Sequence, residues 1–144
     1  MANAFNFTLE GGTELLRKLK NLPKDIQTRI DAEIEDSARN IEGKAIRRAA
    51  ANFGGSSGLR SGIIATRDKP MTWTVYSSKD YSAYIEFGTG GLVDVPAGLE
   101  TYAMQFKGKG IKQVNLPARP FFFNSYFEER PKLIAEIKKI LKDV

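Results

Sequence analysis

The chain has 144 residues, a net charge of +5 and neither cysteine nor histidine. The missing thiol and imidazole groups exclude zinc fingers, cysteine nucleophiles, Ser-His-Asp relays and His-ligated metals. A chain of this length can bury a core without disulfides or metal, and it shows neither a secretory leader pattern nor an apolar run of about 18 residues. We therefore expect one soluble, unprocessed domain over residues 1–144, with no cofactor and no membrane contact.

The first third of the sequence predicts a strand followed by two helices. Phe5, Phe7 and Leu9 alternate with small or polar residues, which is typical of a half-buried strand. Thr13 begins a short helix that ends before Pro23. From Lys24 to about Asn52, apolar residues recur at spacings of three and four, which predicts a long amphipathic helix. Its apolar positions are Ile26, Ile30, Ile34, Ala38, Ile41, Ala45 and Ala49.

A hairpin and a short helix follow a glycine-rich loop. Residues 59–66 predict a strand whose first turn could be helical, and residues 71–76 alternate as its antiparallel partner. In residues 81–88 the apolar members Tyr81, Tyr84, Ile85 and Gly88 would share one face of a short helix, capped by Asp80 and closed by Gly88 in a left-handed conformation.

Residues 89–116 form the most irregular stretch and are predicted to be a flexible, extended arm or insertion, because so long a connection in a small domain is either disordered or functional. Within it, Tyr102, Met104 and Phe106 alternate as one strand of a weak hairpin that returns over residues 111–116. A terminal helix from about Pro120 to Val144 should be kinked or divided at Pro131. Its predicted apolar side consists of Phe123, Phe127, Ile134, Ile137, Leu141 and Val144.

This element order predicts an α+β fold. A small, mainly antiparallel sheet packs against the long helix, with a C-terminal helix and the long arm added.

The sequence offers few candidates for catalysis. Asp68, Asp80, Glu86 and Asp94 lie in or near turns, where two carboxyl groups could act as acid and base. Capping and ion pairing are the alternative roles, and we favour them because no paired acidic motif accompanies these residues. Residues 88–91 have the glycines of a phosphate loop but lack its Lys-Ser/Thr ending. We expect no enzymatic activity.

The aromatic residues and a small basic cluster leave two interpretations open. The tyrosines and phenylalanines near residues 81–87 and 121–127 could stack on nucleic acid bases or form the core. Three consecutive phenylalanines cannot all face inward from one helix, so we expect another segment or another copy of the protein to bury at least one of them. Lys107, Lys109 and Lys112 are either phosphate contacts or a solvated turn.

Three segments in this order resemble the neck and tail-completion protein family of long-tailed bacteriophages. They are residues 57–63 (SGLRSGI), 81–89 (YSAYIEFGT) and 117–122 (PARPFF), the last followed by a terminal helix. The family is also similar in its short leucine-containing helix and long amphipathic helix. The large insert after Thr89 departs from its pattern.

The resemblance implies a non-enzymatic structural protein of a tailed phage or prophage. Such proteins form a ring, commonly of six, at the head-proximal end of the tail or at the head-to-tail joint. The implied partners are further copies of the chain, the head connector or stopper, and the tail tube or tail terminator proteins. DNA would at most pass through the lumen. The implied location is the virion neck or tail, after assembly in the cytoplasm of the bacterial host.

The resemblance also suggests roles for particular residues. Glu86 and Arg119 occupy the acidic and basic positions of the family's two motifs, so we expect them to pair and join the short helix to the terminal helix. The arm and an adjacent aromatic residue are the candidate contacts to neighbouring subunits or to the neck. They are Gly90, Leu92, Val93, Tyr102, Met104, Phe106, Lys107, Lys109, Ile111, Lys112 and Phe121.

Two other functions remain open at this point. A tail terminator has a similar size and also forms rings. A basic nucleic-acid-binding module would account for the charge and the aromatic residues, and steep salt dependence of DNA binding would distinguish it from an assembly protein.

Overall fold

The longest element that the structure describes is a helix of 30 residues, and two strands of the sheet and the C-terminal helix pack against it. The computed structural model describes residues 5–8, 13–53, 58–89, 96–104 and 117–144. Its elements are β1 (Phe5–Thr8), α1 (Thr13–Lys20), α2 (Lys24–Phe53), β2 (Ile63–Lys69), β3 (Thr72–Ser77), α3 (Ser82–Phe87), α4 (Glu100–Met104) and α5 (Phe123–Lys142), with a 3-10 turn over Arg60–Gly62 before β2. The predicted α+β class is confirmed.

The strands form an antiparallel sheet in the order β1-β3-β2. In the central strand β3, Val75 pairs with Phe7 of β1 on one side and with Ala65 of β2 on the other. The predicted β2–β3 hairpin is therefore confirmed. A bulge between Arg67 and Lys69 shifts the register near the turn. Met71 in that turn has a φ of 59°, and its backbone N–H donates to Asp31 Oδ1 of α2 at 2.9 Å. The hairpin is thereby fixed to the long helix.

Helix α2 presents the apolar face that its sequence predicts. All seven predicted positions are buried, and five of them, Ile30, Ala38, Ile41, Ala45 and Ala49, have no accessible surface. This face contacts both β2 and β3 and also α5. Small alanines in the second half of the face allow neighbouring elements to approach the helix closely. On its flank, the Arg39 guanidinium lies over the Trp73 ring, 4.9 Å from the centroid.

Helix α5 runs antiparallel to α2 along its length. Arg29 near the start of α2 pairs with Asp143 at 3.0 Å, just after the end of α5. Lys44, in the second half of α2, pairs with Glu129 at 2.7 Å in the first half of α5. The helix continues unbroken through the exposed Pro131, so the predicted division into two helices is wrong, while the alternative of a kink stays a prediction.

The inward face of α5 differs from the predicted one. Phe127, Ile134, Leu141 and Val144 lie on the predicted side but are 45%, 40%, 38% and 65% exposed. The buried members of the helix are Phe123, Ser125, Glu129 and Ile140. The polar pair can be buried because α2 supplies partners: Lys44 for Glu129, and Arg48, whose Nη1 donates to Ser125 Oγ at 2.8 Å. Buried polar groups with partners do not register as a core face in a hydropathy pattern.

The short helix α3 also turns a different face inward. Its buried residues are Ser82, Ala83, Glu86 and Phe87, whereas the predicted members Tyr81 and Tyr84 are 43% and 45% exposed. Tyr81 occupies the N-cap position and no side chain caps the helix, so Asp80 does not have the predicted capping role.

The C-terminal end of α3 partly confirms its prediction. Gly88 has a φ of 78°, which favours glycine, and its N–H donates to Tyr84 O at 2.9 Å. Its ψ of −172° lies outside the left-handed helical region that we predicted.

Helix α4 replaces the strand predicted around Tyr102 and Met104. The Glu100 carboxylate accepts the Gly98 N–H at 3.0 Å, and the Ala103 N–H donates to Leu99 O at 2.9 Å. Ala103 is fully buried, and this anchors the helix. The rest of the predicted hairpin, residues 105–116, lies outside the described residues.

The contact between α2 and α5 should make stability sensitive to acid through Glu128. Its carboxylate accepts hydrogen bonds from Arg48 and Lys44, and these partners lower the pKa of Glu128 to about 2 from an ordinary 4.5. A lowered carboxyl pKa contributes stability that is present above pH 4.5 and is lost as the pH falls towards 2. We therefore expect the Tm of Glu128→Gln to lie below that of the wild type at pH 6, with the gap closing by about pH 2.

Differential scanning calorimetry from pH 2 to pH 7 measures this gap directly. Glu136→Gln is the matched control, since Glu136 is bound by Lys139 on its own helix and does not join α5 to α2. A Glu128→Gln deficit that is constant over the whole pH range would contradict the role of ionised Glu128.

Candidate functional site

The buried carboxylate of Glu86 binds the beginning of α5. Its Oε2 accepts the backbone N–H groups of Phe121 at 2.8 Å and Phe122 at 3.0 Å, and its Oε1 accepts that of Phe123 at 3.0 Å. The first N–H groups of a helix have no partner within the helix and carry a partial positive charge. One acidic side chain from α3 thus satisfies the N–H group of the first residue of α5 and those of the two residues before it. We call this arrangement the Glu86 clamp.

Neighbouring contacts position Glu86 for this role. Ser82, one turn earlier on α3, lies 2.5 Å from Ser77 at the end of β3, measured between the two hydroxyl oxygens, and so anchors α3 to the sheet. The ring of Phe87 stacks on that of Phe123 with centroids 5.9 Å apart. Beside the clamp, the Arg119 N–H donates to Ile85 O at 2.8 Å. Side chain and backbone together therefore join α3 to the start of α5.

Burial dominates the electrostatics of the clamp. Glu86 is only 3% exposed, and the loss of water raises the pKa of its carboxyl above the ordinary value. The three N–H donors and the charge of Arg48 act in the opposite direction and favour the ionised form. A buried carboxyl with such partners is well suited to holding a helix in place.

The three consecutive phenylalanines are all buried within the chain. Phe121 and Phe122 have no accessible surface and Phe123 is 7% exposed. They can all face inward because α5 begins only at Phe123, so the two preceding residues are not restricted to a helical spacing. The expectation that another segment must bury one of them supposed a helix from Pro120. Phe121, a predicted subunit contact, therefore lies in the core of the described fold.

The clamp lies where the 89–116 segment leaves and rejoins the domain. Gly88 and Thr89 follow α3 directly, and Pro117 lies two residues before Arg119, whose N–H donates to Ile85 O. Both ends of the segment are consequently held together at one place.

The predicted contact residues other than Phe121 fall into three groups. Met104 is 50% exposed on α4, in accordance with a surface role. Tyr102 belongs to α4, but its side chain is not described. The remaining members lie outside the described residues, namely Gly90, Leu92, Val93, Phe106, Lys107, Lys109, Ile111 and Lys112. A side-chain pair between Glu86 and the exposed Arg119 stays a prediction.

Among the carboxylates considered for catalysis, two have structural partners. Asp68 accepts a hydrogen bond from the Thr74 hydroxyl across the β2–β3 hairpin, and Glu86 is held in the clamp. Asp94 lies outside the described residues. Within the described part of the chain, no group of three or more acidic residues is placed to hold a metal ion.

Sequence reasoning missed several surface residues. Beyond Met104, the large apolar side chains that are exposed are Tyr81, Tyr84, Phe127, Ile134, Leu141 and Val144. The phenylalanine, isoleucine and leucine are seven residues apart on α5. That spacing is visible in the sequence, but it does not show which of two neighbouring helix faces the core will cover.

Comparison with known proteins gives one match. A family model described as "Bacteriophage HK97-gp10, putative tail-component" matches residues 13–88, more than half of the chain. The matched region runs from α1 to the end of α3 and so includes Glu86. No curated protein and no solved structure matches the chain significantly. No helix in the described ranges is both long and apolar enough to cross a membrane.

Proposed function

We infer the function from one premise, that the chain belongs to the HK97-gp10-like family of bacteriophage tail components. As a member of that family it is a phage tail component, and its place is in the virion. We propose that it acts at the head-proximal end of the tail, where copies form a ring that joins the tail to the head connector. The ring would work through shape and contact surfaces, with no catalytic step.

The observation that carries this proposal is the family match over the scaffold from α1 to α3. The Glu86 clamp supports it by giving the 89–116 segment a fixed base. A clamped base lowers the entropy lost when a segment is ordered against a partner. The exposed apolar side chains of Tyr81, at the N-cap of α3, and of Tyr84 on α3 offer contact area close to that base.

Deletion of the segment tests the proposal. A variant in which residues 90–116 are replaced by a short Gly-Ser linker loses α4 with its buried Ala103, but it should retain the other helices because the clamp residues and α5 remain. It should fail to join tails to heads. The assay mixes purified protein with tails and DNA-filled heads of the phage that encodes the chain, made without it, and counts joined particles by electron microscopy.

The controls are the wild-type chain and a variant in which the order of the amino acids in residues 90–116 is reversed. Joining by the deletion variant at the wild-type level would reject the segment as the contact. Failure of the wild-type chain to bind tails, combined with DNA affinity that falls steeply with salt, would reject the neck role in favour of nucleic-acid binding.

A further inference from the structure

Helix α2 also reaches the joint between α3 and α5, through Arg48. The Arg48 Nη1 donates to Ser125 Oγ at 2.8 Å, and the Ser125 hydroxyl donates in turn to the carbonyl oxygen of Phe121 at 2.8 Å. The N–H of Phe121 donates to Glu86 Oε2, also at 2.8 Å. Because Ser125 and Phe121 have no accessible surface, these bonds are shielded from water. The backbone of Phe121 is therefore held from α3 at its N–H and from α2 at its carbonyl group.

Helix α2 supplies two cations to a joint that contains three carboxylates. Lys44 lies 2.7 Å from Glu129 and 3.1 Å from Glu128, the two acidic residues of α5 at the joint. Arg48 lies 2.5 Å from Glu128 on the other side. Glu86 is the third carboxylate and binds backbone N–H groups. The charge that α2 offers must consequently be divided among the three acids.

Arg48 is the cation best placed to balance the charge of Glu86. A buried carboxylate is unfavourable unless hydrogen bonds or an opposite charge compensate for the lost water. The charge of Arg48 favours the ionised form of Glu86 and thus opposes the rise in its pKa that burial causes. Two further cations lie at the margin of the joint, Arg119 and Lys132. Both are exposed, so solvent and salt screen their charges.

A single guanidinium group therefore acts on a buried and on a surface carboxylate. Arg48 Nη2 binds the exposed Glu128, while the charge of the same group stabilises ionised Glu86. An ionised Glu128 offsets part of the Arg48 charge, and a neutral Glu128 leaves more of that charge for Glu86. The state of a surface group is in this way transmitted to the Glu86 clamp.

We propose that Arg48 is the counter-charge of the Glu86 clamp and that the two residues form a latch, which sets how often the start of α5 opens. Since Pro117 is only four residues before Phe121, an open latch would also release the base of the 89–116 segment. A cationic group of a partner that bound Glu128 would tighten the latch. The inference rests on the proposed function only for the importance of this segment, because the latch is a property of the isolated chain.

Nuclear magnetic resonance of the full-length chain tests the latch with two readouts. The carboxyl carbon of Glu86 reports its pKa, and hydrogen exchange of the Phe121, Phe122 and Phe123 amides, relative to those of β3, reports local opening. Arg48→Gln should raise the pKa of Glu86 and speed exchange of the three amides about tenfold or more. Arg48→Lys keeps the charge and should hold the pKa of Glu86 close to that of the wild type.

Arg29→Gln is the matched control for the loss of an arginine that joins α2 to α5. Arg29 pairs with Asp143 and lies about 28 Å from Arg48 along the helix, from a rise of about 1.5 Å per residue. This variant should leave the pKa of Glu86 unchanged and the relative exchange of the three amides within about twofold of the wild type.

The direction of the pKa change distinguishes a counter-charge from a residue that only fills space. Lost packing would admit water and lower the pKa of Glu86 towards 4.5, whereas a lost counter-charge raises it. Glu128→Gln should lower the pKa of Glu86 without faster relative exchange of the three amides. Because Glu128 is exposed, this variant keeps the test decisive if Arg48→Gln does not fold.

The latch would be overturned by a folded Arg48→Gln chain in which the pKa of Glu86 is unchanged or lower, or by equal pKa values in the Gln and Lys variants. A raised pKa of Glu86 in Glu128→Gln, or faster relative exchange there, would overturn it as well. None of these measurements uses tails. A refuted latch in a chain that joins tails would leave the neck role standing, and a confirmed latch in a chain that joins none would remove that role alone.

Discussion

Replacing Glu86 with alanine is expected to lower the free energy of unfolding by about 3 kcal/mol at pH 7, because it leaves three buried N–H groups without an acceptor. Each buried donor without a partner costs about 1–3 kcal/mol. The loss is smaller than three such costs because the substitution also removes a carboxylate whose burial is unfavourable.

Glu86→Gln removes the negative charge of the clamp but keeps a side chain of nearly the same shape. The glutamine amide can keep one oxygen in the position of Oε2, which serves Phe121 and Phe122, but its NH₂ group then faces the Phe123 N–H. Two donors meeting without an acceptor should cost about 1–3 kcal/mol. The expected order of stability is therefore wild type, then Gln, then Ala.

The pH dependence of these differences follows from the raised pKa of Glu86. A carboxyl with a raised folded-state pKa contributes stability that is fully present below its ordinary value of 4.5 and declines as the pH rises through the raised pKa. The difference in the free energy of unfolding between wild type and Glu86→Gln should thus become smaller as the pH rises above 4.5. This is the opposite direction to the Glu128 effect, so the two residues are distinguishable.

Urea unfolding followed by circular dichroism measures all three chains. Glu35→Ala is the matched control, an exposed helical glutamate whose nearest cation is 3.8 Å away, and it should change stability by less than about 0.5 kcal/mol. Glu86→Ala with a loss no larger than that of the control would show that the clamp does not hold α5.

A double-mutant cycle of Glu86→Ala and Arg119→Ala tests the predicted side-chain pair separately. Because Arg119 is exposed, the coupling energy should be about 1 kcal/mol or less. The backbone N–H of residue 119 can still donate to Ile85 in the alanine variant, so this cycle isolates the side chain. A coupling of several kcal/mol would instead indicate a pair shielded from solvent.

The sequence predicts best those elements whose core positions are apolar. Helix α2 was predicted nearly to its ends because seven apolar residues at helical spacing coincide with its buried face. The β2–β3 hairpin is similar, since Trp73 and Val75 alternate with polar residues. In α2 and in the β2–β3 hairpin, the local sequence pattern and the tertiary contacts favour the same structure.

The errors occur where polar residues occupy the interior. On α5, Ser125 and Glu129 are buried because Arg48 and Lys44 reach them from α2, more than 70 residues away in sequence. On α3, Glu86 is buried because it binds backbone N–H groups, which are present at almost every residue and carry no sequence signal. Hydropathy therefore predicted the inward faces of both helices only in part: Phe123 of α5 is buried and Ile85 of α3 packs against the core, whereas other members of the predicted faces lie exposed. The family resemblance identified Glu86 as important, while only the coordinates identify its partners as backbone N–H groups.

Phe122 and Phe127 test which aromatic side chains at the start of α5 are buried in the core. Phe122 is fully buried and packs edge-to-face against Phe123, with ring centroids 5.3 Å apart. Phe122→Ala should lower the free energy of unfolding by about 3–5 kcal/mol, since the cavity adds to the lost burial of the ring. Phe127 is 45% exposed, and Phe127→Ala should cost about 1 kcal/mol or less.

The comparison is made by urea unfolding at a protein concentration where the chain is monomeric, so that contacts between copies do not contribute. The two substitutions remove the same atoms and lie within five residues of each other, which makes each the control for the other. Equal losses would mean that α5 is rotated so that Phe127 enters the core. A large loss at Phe122 alone would mean that the Phe122 ring holds the start of α5 in the core, while the Phe127 ring contributes little to the stability of the subunit.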